Sequence, residues 1–124
     1  MGLTTIKVTI INPANERKQA MVDFLVDSGA IYSVVPKTTL RRLGIRPRSK
    51  KEFTLANGER IERALGDAVF SYMGERGAAP VIFGEKGDSA LLGAVTLESL
   101  GFILDPLRRE LKPLPMVLGA MRSR

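Results

Sequence analysis

The chain has 124 residues, 44% of them hydrophobic, with 19 Lys and Arg against 13 Asp and Glu, a formal charge of +6. That length holds one domain with a modest core and leaves no room for two lobes of a duplicated fold. With no histidine and no cysteine, Ser-His and Cys-His nucleophilic systems, disulfides and the usual zinc site are excluded, so any chemistry rests on carboxylates, amines and hydroxyls.

Met1-Gly2-Leu3-Thr4-Thr5 lacks the charged and apolar regions of a signal peptide. No apolar stretch approaches the ~20 residues of a membrane span, so a cytoplasmic protein without membrane contact is expected. Thr5 to Ile11 alternates polar and apolar, the period of a half-buried strand. Asn12-Pro13-Ala14-Asn15 reads as a turn with Glu16-Arg17-Lys18 at its exposed tip, and Ala20 to Val26 as the returning strand of a hairpin. That strand delivers Asp27-Ser28-Gly29-Ala30 to its end, and Ile31 to Val35 leaves as a second apolar run. A carboxylate between two such runs is partly desolvated, which costs free energy unless it is hydrogen-bonded or used. Gly29 permits a sharp reversal and Ser28 supplies a hydroxyl that can fix the loop.

Pro36 suits the first turn of a helix over Lys37 to Leu43, and Gly44 its left-handed stop. Six of the eleven residues from Arg41 to Lys51 are Lys or Arg. They read as a solvated helix end and a connector. The aromatic side chains that would stack bases are sparse there, so nucleic acid is not an expected partner. Glu52 to Leu55 is a strand, Asn57-Gly58 predicts a type I′ hairpin turn, and Arg60 to Phe70 returns, with Leu65-Gly66 marking a bulge or bend. Gly74 to Gly77 is a turn, Pro80 to Phe83 a buried strand, and Gly84 to Ser89 a polar loop. Ala90-Leu91-Leu92-Gly93 precedes a short helix over Ala94 to Leu100 that Gly101 stops. Phe102 to Asp105 and Glu110 to Leu114 form a last hairpin. The segment 115–124 is either an interface strand or a tail, and its apolar Met116-Val117-Leu118 favours an interface.

Leu25-Val26-Asp27-Ser28-Gly29-Ala30 followed by Val34-Val35 resembles the active-site segment of the retropepsin-like aspartic proteases, the family of the retroviral proteases and small bacterial and archaeal relatives. The resemblance covers the element order of residues 5–114. It implies an all-β fold, a closed or partly open acid-protease-like barrel with one or two short helices and one lobe per chain. On this resemblance Leu55-Ala56-Asn57-Gly58-Glu59 is the tip of a flap that closes over a bound peptide. Leu92 and Gly93 form the strand packed behind the catalytic loop. Retroviral members place an acid after the motif alanine and an arginine after the later glycine. Here Ile31 and Ala94 stand there, so both partners of that ion pair are absent together and neither charge is stranded.

Hydrolysis of a peptide without metal or covalent nucleophile needs an activated water and an acid for the leaving group, and two adjacent carboxylates sharing a proton supply both. This chain offers one such aspartate, Asp27. Two chains about a two-fold axis are therefore expected to build the site as a homodimer acting on a protein or peptide substrate, with no cofactor and no metal. Ser28, Gly29 and Ala30 would support the loop, and Tyr32, Leu55, Ile82 and Leu91 are candidate apolar walls. Most of the other carboxylates, a set that includes Asp88, read as surface or turn residues. The alternative is a non-catalytic dimerisation or peptide-binding module on the same fold.

Overall fold

Alternation places Val8 and Ile10 of β1 (Thr5–Asn12) and Phe24 and Val26 of β2 (Asn15–Val26) in the core, with Lys7 and Asp23 outside. The computed structural model describes residues 4–115. β1 and β2 pair antiparallel from Thr5↔Leu25 to Ile11↔Gln19. β2 begins five residues earlier than expected, and the turn is Pro13-Ala14. The Asn12 side chain accepts the Ala14 N–H at 2.7 Å and closes that turn locally. Glu16, Arg17 and Lys18 are therefore exposed strand residues rather than a loop tip.

β3 (Ser33–Pro36) leads into α1 (Lys37–Arg42). Pro36 is still extended, with φ −52° and ψ 133°, and pairs with Gly84, so it precedes the helix instead of opening its first turn. Gly44, with φ 78°, ends the helical turn. The Asn12 carboxamide donates to Leu43 O at 2.8 Å and ties that end to β1.

β4 (Ser49–Thr54) and β5 (Arg60–Tyr72) form the long hairpin, in register from Ser49↔Leu65 to Thr54↔Arg60. The tip is not a type I′ turn. Leu55 O accepts the Gly58 N–H at 2.9 Å, Leu55 N–H reaches Glu59 O at 2.8 Å, and of Asn57 and Gly58 only Gly58 takes a positive φ. This is a three-residue loop closed by a left-handed glycine. Asn57 keeps an ordinary φ and spends its side chain on the Glu59 N–H, at 2.9 Å. The two-residue turn with both residues left-handed lies at Met73-Gly74 (φ 52° and 82°). β6 (Glu75–Gly84) consequently starts earlier than expected and pairs with β5 from Tyr72↔Glu75 to Leu65↔Ile82. No bulge interrupts that ladder at Gly66. The glycine serves close approach, since a Cβ there would stand 2.9 Å from the Phe83 ring and 3.1 Å from Arg46 O.

β7 (Leu91–Leu92), α2 (Ala94–Leu100), β8 (Phe102–Asp105) and β9 (Glu110–Pro113) follow. The main sheet runs β1-β2-β7-β3-β6-β5-β4, and a further β1–β5 pairing closes it into a barrel from which β4 stands out at the edge. Phe24 and Phe70 meet inside it, 6.3 Å between ring centroids, with Val8, Ile10, Val35, Val81 and Leu92 around them. α2 packs on β6 over Gly77, where a Cβ would come within 2.5 Å of Ser99 O. β8 and β9 form a separate hairpin. Met116-Val117-Leu118, expected at an interface, lies outside the described residues.

Candidate active site

β2 carries Asp27 to its end and the parallel partner β7 fixes that end. Leu25 and Val26 register with Leu91 and Leu92, Leu25 N–H donates to Ala90 O, and Asp27 N–H donates to Leu92 O, both at 3.0 Å. The loop then turns within three residues, Ala30 N–H reaching back to Asp27 O at 3.1 Å. Asp27 is half-buried, and its Oδ1 accepts the Gly29 N–H at 3.0 Å. Ser28 and Gly29 are exposed, and Ala30 is half-buried. The loop therefore presents one backbone-held carboxylate at the protein surface.

What holds the loop from behind is the start of α2. Its first N–H groups have no intrahelical partners; Ala94 N–H donates to Ala30 O at 2.8 Å and Val95 N–H to Ile31 O at 3.1 Å. This approach needs Gly93, because a Cβ there would lie 2.6 Å from Tyr32 O and 2.8 Å from Ile31 O. Leu92 is fully buried beneath. Two further residues complete the support and escaped the sequence reading. Ser33 and Thr96 are fully buried, their hydroxyl oxygens lie 2.5 Å apart, and Ser33 Oγ accepts the Gly93 N–H at 2.9 Å. A hydroxyl pair 63 positions apart in sequence leaves no local signal. Only the fold brings Ser33 and Thr96 together.

In front of the loop lies a cleft of about 670 Å³. Its wall on this side begins at Gly29, and Tyr32, Leu55, Ile82 and Leu91 all line it, with Val34, Phe53 and Ile61. The Tyr32 and Phe53 rings meet edge to face, centroids 6.2 Å apart, and Lys51 Nζ sits 5.8 Å from the Tyr32 centroid. These contacts join β4 of the hairpin to the loop. Beyond Leu55 the hairpin tip, Ala56 to Glu59, stands exposed.

The far wall carries charge, and Asp88, a turn residue that closes back on Glu85, is part of it. Arg63 of β5 meets Asp88 in a bidentate pair, Nε to Oδ2 at 2.8 Å and Nη2 to Oδ1 at 3.1 Å. The two side chains are 17% and 25% exposed. The Arg63 bond, with help from the Glu85 N–H, holds the Asp88 carboxyl below its ordinary pKa, and the same bond raises that of Arg63. Next to it Lys37 Nζ bonds Glu85 and lowers that carboxyl too. Among the described residues no group of three or more acids could hold a metal ion, and no helix is long and apolar enough to cross a membrane.

A family described as aspartyl protease matches residues 6–94 of the chain. The solution structure of Simian Foamy Virus (mac) protease is similar at 19% identity and a TM-score of 0.53, the match covering 77% of this chain and 92% of that one. No curated protein matches the chain.

Proposed function

Since the chain belongs to the retropepsin-like aspartic protease family, we propose that it is an endopeptidase whose active form is a homodimer and whose catalytic group is Asp27. The observation that carries this reading is the placement of that residue. A single half-buried carboxylate, held by the Gly29 N–H, stands on an exposed loop beside a largely apolar cleft. One carboxylate cannot both activate water and protonate a leaving group in the same step. A second copy of the loop across a two-fold axis supplies the missing partner.

Two facing Asp27 carboxyls share one proton, because both cannot ionise cheaply at close range. The ionised one removes a proton from a water as the water oxygen attacks the peptide carbonyl carbon. The protonated one donates to the carbonyl oxygen, and a neutral tetrahedral diol results. The protonated carboxyl then donates to the amide nitrogen while the ionised one takes a proton from a diol hydroxyl, the C–N bond breaks to leave a carboxylic acid and an amine, and the dyad is again singly protonated. Ser28 stabilises the paired loops across the axis, and Ile31, 66% exposed on the single chain, lies on the face the second copy covers. The hairpin tip Leu55 to Glu59 acts as the flap, and an extended peptide lies beneath it in the cleft. The dyad titrates as a pair, so cleavage is favoured by acidic over neutral conditions.

The test is cleavage of a denatured protein under acidic conditions, with the oligomeric state followed by sedimentation. Wild type cleaves as a dimer. Asp27→Asn is expected to lose cleavage by several orders of magnitude while remaining dimeric. A dimer that cleaves no peptide would make the chain a binding module on this fold, and a cleaving monomer would refute the shared dyad.

A further inference from the structure

We propose that Arg63 and Asp88 are specificity-determining residues, and that the subsite they close selects a substrate side chain ending in a carboxamide, glutamine before asparagine. The inference rests on the protease reading and adds the substrate chemistry. Most of the cleft lining is apolar, and Val34, Ile61, Ile82 and Leu91 offer an aliphatic stem a dry surface. The charged groups on that lining are Glu52, Arg63 and Asp88. Glu52 is an exposed rim residue, 3.7 Å from Arg60. The Arg63–Asp88 pair is mostly shielded and faces whatever fills the cleft.

Valences decide what that wall accepts. A guanidinium has five N–H donors. Arg63 commits Nε and one Nη2 hydrogen to Asp88 and one Nη1 hydrogen to Glu62 O. Two donors remain without a partner among the described residues. Asp88 Oδ2 receives Arg63 Nε and the Glu85 N–H, which fills it, whereas Oδ1 receives only Arg63 Nη2 and keeps an acceptor site. The wall therefore offers donors and an acceptor side by side at near-zero net charge. A purely apolar side chain would desolvate both ions and return nothing. A carboxylate can accept from Arg63 but is repelled by Asp88, and an ammonium can donate to Asp88 but is repelled by Arg63. A carboxamide accepts with its oxygen, donates with its nitrogen and carries no charge. Glutamine has in addition the longer apolar stem to cross the aliphatic floor.

The test uses the Asp27→Asn full-length chain, so that binding is read apart from turnover. Fluorescence anisotropy compares labelled peptides that differ only in Gln, Met, Glu or Lys at one position, scanned along the peptide, and the same peptides are offered to wild type for cleavage. At one position Gln is expected to bind about tenfold tighter than Met and tighter than Glu or Lys. Arg63→Leu/Asp88→Leu, which removes both charges together, is expected to erase that preference. Arg63→Asp/Asp88→Arg, which keeps a pair, is expected to retain it and controls for folding. Equal binding of all four side chains at every position overturns the proposal, as does a Gln preference that survives in the Leu/Leu variant. Cleavage by wild type without discrimination would sink the proposal alone. Absence of both binding and cleavage would sink it together with the protease reading.

Discussion

Removing the Ser33 hydroxyl tests whether the loop is held by the buried network behind it. Ser33→Ala deletes the acceptor of the Gly93 N–H and the partner of Thr96 Oγ1, at 2.9 and 2.5 Å, at a site with no solvent exposure. Two buried polar groups are then orphaned, at about 1–3 kcal/mol each. A loss of about 2–4 kcal/mol is expected from a domain stable by about 5–15 kcal/mol. Thr96→Val keeps the shape and takes one hydrogen-bond partner from the Ser33 hydroxyl, which still accepts the Gly93 N–H, costing about 1–2 kcal/mol. In the double variant just the Gly93 N–H lacks a partner, so the pair costs about as much as Thr96→Val alone, with a coupling as large as the Ser33→Ala cost, about 2–4 kcal/mol. Urea unfolding at fixed protomer concentration reads this as a lower midpoint with an unchanged slope, the concentration being held because the proposed dimerisation would contribute to apparent stability. A Ser33→Ala loss under about 0.5 kcal/mol, or additive costs in the double variant, would refute the reasoning.

Gly93→Ala drives a Cβ to 2.6 Å from Tyr32 O, against backbone that cannot swing aside. A destabilisation of about 2–3 kcal/mol or more and loss of cleavage are expected in thermal unfolding and peptide assays. A variant that unfolds at the wild-type temperature would show that the helix start and the loop are not in close contact. The Arg63–Asp88 pair predicts an acid limb. Because the folded Asp88 pKa is lowered, its contribution is complete above the ordinary carboxyl value of about 3.9 and disappears as pH falls through the lower folded value. Arg63→Met is therefore expected to lower the urea midpoint at neutral pH and to converge on wild type once pH falls below the lowered Asp88 value. Parallel curves at all pH values would remove the pair from the account.

Features that act through neighbours in the chain were legible. The inward set Val8 and Ile10 and the glycine stops at Gly44 and Gly101 follow from local period or local backbone need, whereas the place of Leu92-Gly93 behind the loop came from the family resemblance alone. The hairpin tips were less legible, because Asn-Gly favours a left-handed pair but does not require it. At Asn57 the side chain bonds Glu59 N–H instead, while Met73, a poor left-handed residue, is forced into that conformation by the two-residue link between Tyr72 and Glu75. Ser33 with Thr96, and Arg63 with Asp88, were illegible for a different reason. Each partner alone is an ordinary strand, helix or loop residue, and the chemistry exists only once β3 meets α2 or β5 meets the loop before β7.

The departure at Ile31 and Ala94 then acquires a physical meaning. Where retroviral relatives join the loop to the following helix through an acid and an arginine, this chain joins them through Ala94 N–H to Ala30 O, Val95 N–H to Ile31 O, and the Ser33–Thr96 hydroxyl pair. None of these groups titrates between acid and neutral pH, so the support behind Asp27 would keep its geometry across the range in which the proposed dyad works. An ion pair there would weaken as its acid took up a proton, in the same conditions that favour the dyad. The titrating pair sits instead on the far wall of the cleft, at Arg63 and Asp88, where its loss would alter what binds before it altered where Asp27 stands. If that division is correct, acidification through the Asp88 transition raises KM, and Arg63→Leu/Asp88→Leu removes that rise. A KM rise of the same size in both proteins would take the acid-sensitive element off the far wall.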